Sequence, residues 1–401
     1  MTVMTTEPEA RTTVPQRPPA QAEVLRRTAS VRRSDVLALV GAGLAALAVT
    51  TLFFSLLTPF SGLIGFIVVA YVLFLAFYAL LVSYDESGPA VRDRLSTVVM
   101  HSAAVLMLTA LISVIAFTFW RGREPMRHLN FYVQDLRNAG PLDGLDVGGV
   151  LHGMAGTLIM ITIAVLITVP IGLLCAVFLS EFPGRYSRFV RTIVEAMTAL
   201  PSIVAGLFIY ATVVVALGMG FSGIAASLAL SVMMLPIVIR AADVVLRLVP
   251  GTLKEASYGL GGGHWRTVWH VTLPTARSGL TTSVILGTAR GIGETSPVLL
   301  TAGFTNHLSL NPLDGPMVSL PLLTFDLVRS PEPAYIARGF GAAALLMVIV
   351  LGLFVAARVI GGRGPGRLTK RQLRRRAAVS RRDAERFAVR DQHRSAEGEA
   401  P

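Results

Sequence analysis

Charge is what this chain has little of. Only 15% of its 401 residues are Asp, Glu, Lys or Arg, against about a quarter in an average soluble domain. None of the four occurs in 36–84, 95–120, 147–180, 196–239 or 339–357. A helix crossing a bilayer needs about 20 mostly apolar residues, and these gaps provide that length several times over. A soluble enzyme is excluded, and the expected fold class is all-α, a polytopic helical membrane protein. Cysteine is nearly absent: Cys175 is the only one, it lies in an apolar run, and it reads as a small core hydrophobe. Lysine is confined to Lys254 and Lys370, and neither follows a glycine, so a P-loop's Gly-Lys-Ser/Thr cannot be written in this sequence.

What is present is a series of apolar runs between basic ends. About eight transmembrane helices are expected, at roughly 36–57, 60–82, 98–119, 155–180, 202–217, 222–239, 279–301 and 339–360. Thr58-Pro59 and Gly218-Met219-Gly220 provide two of the turns. The first run begins only at Val36 and spans 22 residues, too late and too long for a typical signal peptide. Residues 1–35, with Pro15, Pro18 and Pro19 among polar residues, read as a disordered tail. That head carries six Arg against four acids, and the tail 361–401 carries twelve Arg or Lys against five. Such basic ends point to topology rather than nucleic acid, and the positive-inside rule puts both termini in the cytoplasm. Loop 302–338 is then outside, with Asp314, Asp326 and Glu332 offsetting Arg329 and Arg338, but loop 120–154 dissents, because Arg121, Arg123, Arg127 and Arg137 would also be external. His152 and His307 flank spans and are expected to be solvated.

The most informative segment is the cytoplasmic loop 240–278, with Arg240, Arg247, Lys254, Arg266 and Arg277. Pro250-Gly251 ends one element, and Thr252 and Glu255 have capping-box spacing for a short helix. Ala256 and Leu260 give that helix an apolar side, the glycines 261–263 end it, and Leu273-Pro274 opens the next span. A short helix held between two spans suits another protein's groove; the plainer alternative is an amphipathic connector.

Glu255-Ala256-Ser257, Gly261 six positions after the Glu, and Val271-Thr272-Leu273-Pro274 resemble the EAA loop of ABC-importer permeases. Ser257 stands where that pattern has a second Ala, and Val271 where it has Ile. Four further stretches resemble the PstA-type phosphate permeases. They are Gly156-Thr157 through Val169-Pro170 and Gly172 to Glu181; Leu200-Pro201-Ser202 to Gly206-Leu207-Phe208; Arg290-Gly291-Ile292-Gly293-Glu294-Thr295-Ser296-Pro297; and Met317 to Pro321.

The resemblance covers about 148–360 and implies a type I ABC-importer permease core with a coupling loop at 250–274. Residues 36–147, with three spans where the family usually has one before its core, are a departure, and 361–401 is a basic cytoplasmic tail. It further implies a permease subunit of an ATP-driven importer of inorganic phosphate, in a bacterial plasma membrane. Glu255, Ala256, Gly261, Leu273 and Pro274 would form the coupling surface for an ABC ATPase dimer. The implied partners are a homologous permease subunit sharing the path and an extracytoplasmic phosphate-binding protein. The chain would catalyse no covalent chemistry and hold no cofactor; ATP and magnesium would belong to the partner ATPase.

Arg290 and Glu294 are the only charges in the seventh expected span. Charge at membrane depth suggests function, and their i,i+4 spacing lets them neutralise each other. With Thr295 they are the candidate translocation-path residues, the Arg suited to phosphate oxygens; a structural ion pair is the alternative. Gly287, Gly291 and Gly293 read as helix-packing positions. Two other functions remain open from the residues: a permease for sulfate or molybdate, and an ion-coupled secondary carrier.

The topology is testable with reporter fusions. Fusions after Asp85 and Lys370 are expected to report cytoplasm and one at Asp314 the outside; an external signal at Lys370 overturns the arrangement.

Overall fold

The computed structural model describes residues 33–57 and 62–361, and from the tail 373–375, 377–384 and 386. The expected disordered head therefore falls outside the described residues, apart from Arg33, Ser34 and Asp35, which open the first helix. Most of the basic tail and the Thr58-Pro59 turn also fall outside them.

Every regular element among the described residues is helical. In chain order α1 is Arg33–Leu52, followed by a π-turn at Phe53–Leu57; α2 is Leu63–Ser83, α3 Gly88–Gly122 and α4 Asn130–Val133. Next come α5 Leu151–Glu181, α6 Arg185–Thr198, α7 Ser202–Ile209 with a π-helical continuation Tyr210–Ala216, and α8 Gly223–Arg247. The coupling loop contains α9 Gly251–Gly259 and α10 His264–Thr267, which runs through the π-turn Val268–Thr272 into α11 Leu273–Ile292. The last elements are α12 Ser296–Thr301, α13 Leu320–Val328 and α14 Pro333–Gly361.

Six helices (α1, α2, α3, α5, α8 and α14) are long and apolar enough to cross a membrane, and the α6–α7 pair, bent by 104°, makes up to seven. The remaining expected span, 279–301, is α11 followed by α12, with a break at Gly293, Glu294 and Thr295. Rich in Ser, Thr and Gly, α11 is less apolar than the others and is not among the six. Eight is therefore an approximate count. Pro201 is the N-cap of α7, and Pro170 sits inside an unbroken α5.

The described residues form two compact units that divide inside α3, between residues 111 and 112. In the first, Ala42, Tyr78 and Val82 form the buried contact of α1 with α2. Its charges gather at one end, where Arg94 binds Asp35 at 2.6 Å and also Glu86. Tyr71 and Ser102 share a 2.5 Å hydroxyl hydrogen bond between α2 and α3.

The second unit is built around α8, which packs along α5 on one side and α11 on another. Lipid is as apolar as a leucine side chain, so helices in a bilayer associate through close packing at small residues. Here Gly172 faces Val238, and Ser231 donates to the Ala164 carbonyl at 3.4 Å. Across the other seam Gly279 faces Val245, Gly287 faces Val238 and Gly291 faces Met234. The packing role expected of the glycines thus applies to Gly287 and Gly291, but not to Gly293, which has no neighbour of this kind.

On the face opposite the coupling loop, the connections pack as a layer. Gly156 lies against the Val318 carbonyl, where a Cβ would collide. Next to it the Thr157 hydroxyl accepts the Leu320 N–H at 2.7 Å and donates to Gly153 at 2.8 Å. Asp135 accepts the Leu308 N–H at 2.9 Å, tying loop 123–150 to loop 302–319. Burial works to raise the Asp135 pKa, but the N–H donors of Leu308 and Arg137 outweigh it and hold it below the usual carboxylate range. Two expectations need correction here. His152 is buried, 2% exposed, with neither ring nitrogen hydrogen-bonded, because it is sealed into the first turn of α5. Arg338 is not a loop charge: it is 1% exposed within α14 and donates to the Gly144 and Val147 carbonyls at 2.5 and 2.6 Å.

The α8–α11 seam yields a paired test. Gly287→Val should cost about 1–3 kcal/mol through overpacking, read as a lower melting temperature of the detergent-solubilised chain. Gly352→Val, with nothing within 4 Å, should stay near wild type. Equal losses would show that valine's cost within a helix, not packing, decides.

Candidate functional site

The coupling segment differs in detail from its expected construction. α9 begins at Gly251, with Pro250 as N-cap at φ −57° and ψ 132° and no side-chain cap. Thr252 therefore lies inside the first turn, and the Thr252–Glu255 capping box does not form. The other end matches the expected glycine stop. Gly261 has φ +80°, the Gly261 N–H donates to Tyr258 at 2.9 Å, and the Gly262 N–H donates to Ser257 at 2.9 Å. This pair of bonds is a Schellman closure, which needs a left-handed residue at the position of Gly261. Nothing lies within 4 Å of a Cβ built there, so only backbone conformation selects glycine.

No residue of α9 is buried, and Leu253, Tyr258, Leu260, Trp265 and Trp269 are exposed. Glu255 and Ala256 share that open surface. Leu273 and Pro274 open α11 as expected, with Pro in its first turn. The segment is nevertheless anchored. Lys254 Nζ lies 2.6 Å from Glu181 Oε1 at the end of α5, and the Glu181 side chain is only 5% exposed. Ser257 and Thr267 hydroxyls meet at 2.8 Å, and Phe182 packs edge-on to His264. The open helix is thus fastened to the end of the longest core helix.

At the end of α11, Arg290 and Glu294 do pair, with Nη2 and Oε1 2.9 Å apart. Their environments differ: the Arg side chain is 57% exposed and the Glu 8%. Glu294 lies just beyond the end of α11, and the contact is an ion pair without hydrogen-bond alignment. Thr295 is elsewhere. It lines a cavity of about 480 Å³ with residues of α13 and α14, and neither Arg290 nor Glu294 lines it.

Thr282, Leu286 and Arg290 form one open stripe on α11 at four-residue spacing. Thr282 and Leu286 line a second cavity of about 620 Å³, and Arg240 lines it from α8. Arg240 also lines a third cavity, of about 250 Å³, beside Arg191, Asp243 and Arg247. Asp243 is taken by Arg191 at 3.1 Å and by Arg247 at 3.0 Å. Arg240 itself is in no ion pair among the described residues. The sequence reading assigned Arg240 to the cytoplasmic loop, but α8 continues two turns past it. Ala241, Ala242, Val244, Val245 and Leu246 carry the apolar pattern on, and that was the available signal.

The separate motif stretches also meet in space. Gly206 on α7 abuts Pro297 on α12, where a Cβ would come 2.8 Å from the Pro Cα. With six helices long and apolar enough to cross a membrane, the chain is an integral membrane component. The chain belongs to the family of binding-protein-dependent transport system inner membrane components, whose model matches residues 168–359. Within that family it is similar to the phosphate transport system permease protein PstA 1 of Mycobacterium tuberculosis, 36% identical over 271 residues, covering 67% of this chain and 88% of the relative. It is also similar to PstA of Mycobacterium leprae, 35% identical over 66% of this chain and 86% of the relative. PstA of Yersinia pestis is 34% identical over 67% and 90% respectively.

Proposed function

We propose that this chain is a transmembrane permease subunit of an ATP-driven importer of inorganic phosphate, with both termini in the cytoplasm. The observation that carries the reading is the identity with phosphate permeases over nearly their whole length. The exposed but anchored helix α9 and the intramembrane pair of Arg290 with Glu294 support it. The partners are a homologous permease subunit, a dimer of ABC ATPases that binds the ATP and magnesium, and an extracytoplasmic phosphate-binding protein. The permease chain itself catalyses no covalent step.

Glu255, Ala256, Gly261, Leu273 and Pro274 form or frame the surface that seats in the ATPase. Closure of the ATPase dimer moves α9, and the Lys254–Glu181 bond passes the displacement to α5 and so to α8. This is a two-state element biased by a ligand at a distant site. Arg290 and Arg240 present guanidinium groups to the passing anion, with Glu294 balancing the first of them. Thr295, the third candidate path residue, is the N-cap of α12 just beyond Glu294 and makes no side-chain capping bond.

Transport tests the path. Arg290→Gln alone strands a buried carboxylate, which typically costs about 3–5 kcal/mol, so the decisive variant is Arg290→Gln with Glu294→Gln. It should accumulate and assemble normally yet take up no radiolabelled phosphate; recovered uptake removes both residues from the path. Wild-type uptake that survives ATP depletion but collapses with the ion gradient would make the protein a secondary carrier. Uptake of sulfate or molybdate in place of phosphate would reassign the substrate.

Coupling is tested by Gly261→Val, which forces a β-branched residue into a left-handed position. The variant should insert in the membrane normally and lose phosphate-stimulated ATP hydrolysis in the assembled complex. Full stimulation would reduce the loop to a connector.

A further inference from the structure

The basic residues of loop 120–154 sit on the wrong face for the positive-inside rule, and their surroundings give them a use. The cavity of about 480 Å³ lies beside the last turns of α3, α13 and the first turns of α14. Its walls are largely apolar, including Pro321, Val328, Ala343 and Leu346, and two of its rings are Phe325 and Phe340. Arg329 lines the cavity with its guanidinium 4.9 Å from the Phe325 centroid, and Arg121 stands 5.7 Å from the Phe340 centroid. Arg123 stacks 3.9 Å from the centroid of Trp120, an aromatic at the end of a charge-free run. Among the described residues none of these three arginines is in an ion pair. All three are exposed.

Depth fixes the setting. The other end of α14 lies at the start of α11, where Arg277 donates to the Gly361 carbonyl at 3.2 Å. The cavity is therefore at the membrane face opposite α9, at the level where Trp and Arg meet lipid headgroups. Apolar walls, with Arg329 on the lining and Arg121 over the ring of the lining residue Phe340, match an anionic amphiphile. We propose that this cavity binds an anionic phospholipid, one acyl chain between α13 and α14 and the phosphate between Arg121 and Arg329. Free phosphate shares the headgroup chemistry but leaves the apolar walls uncovered. The bound chain touches Thr295, so lipid occupancy bears on the turn next to Glu294.

Trp120 makes the site readable. In full-length chain carrying Trp265→Phe and Trp269→Phe, the only remaining tryptophan is Trp120, two residues beyond Thr118 of the cavity wall. The chain is placed in mixed phosphatidylcholine–phosphatidylglycerol vesicles with bromine on the acyl chains of one lipid at a time. Each arginine near a bilayer surface strengthens anionic-lipid binding about fivefold, so phosphatidylglycerol should be preferred by about fivefold or more. Arg121→Gln or Arg329→Gln should each reduce the preference several-fold, and the double variant should abolish it. Ala343→Leu, which narrows the cavity without touching charge, should also weaken it. Equal quenching by both lipids in the wild-type background overturns the proposal, as does a preference that survives the double arginine variant. Loss of the preference on adding millimolar phosphate at constant ionic strength also overturns it, making free anion the ligand.

Discussion

The structure of the second unit depends on how closely α8 approaches its neighbours. Glycines at 172, 279, 287 and 291 remove side chains along both seams, and the residues opposite them on α8 are Met234, Val238 and Val245. In lipid there is no hydrophobic gain from bringing two apolar helices together, so this interdigitation is the cohesive term. It has a geometric consequence. With α5 and α11 both pressed against α8, the remaining side of α8 is left to carry Arg240, and Asp243 is left to join α6 through Arg191.

The same packing makes α9 mechanically meaningful. A short open helix on a flexible loop would transmit nothing. This one follows α8 after Leu248, Val249 and Pro250, continues into α11 through α10, and is bonded to α5 through Lys254 and Glu181. All three core helices therefore feel its position. The nearly complete burial of the Glu181 side chain means that the bond cannot be loosened without leaving a carboxylate uncompensated.

Much of the fold was legible because the bilayer imposes a simple rule on composition. Charge-free runs became helices, and Pro201, Gly261 and Pro274 punctuate the chain where their backbone chemistry requires. The unread parts are those where tertiary partners override composition. Arg338 looked like a loop charge but is buried in α14, where its Nη2 donates to carbonyls of a loop nearly 200 positions earlier. His152 looked solvated but lies under packed connections. The break after Ile292, by contrast, falls at Gly293-Glu294-Thr295-Ser296-Pro297, a polar stretch with a proline, so composition does mark it between the apolar flanks. For the candidate site, the open helix and the Arg290–Glu294 pair were readable from spacing, whereas Arg240 and the tether at Lys254 needed the folded chain.

The break between α11 and α12 has an electrostatic consequence of its own. A helix that ends inside the apolar layer leaves its last carbonyls without intrahelical partners and concentrates partial negative charge there. Arg290 is in that last turn, and the Glu294 N–H folds back onto the Gly291 carbonyl at 3.2 Å. The guanidinium is thus compensated twice, by a carboxylate and by a helix end, before any anion arrives. A bound anion would complete a cluster already close to neutral rather than quench a bare cation. On the proposed path role, such a cluster would hold its guest shallowly, and residence would be short because departure restores an arrangement that was already balanced.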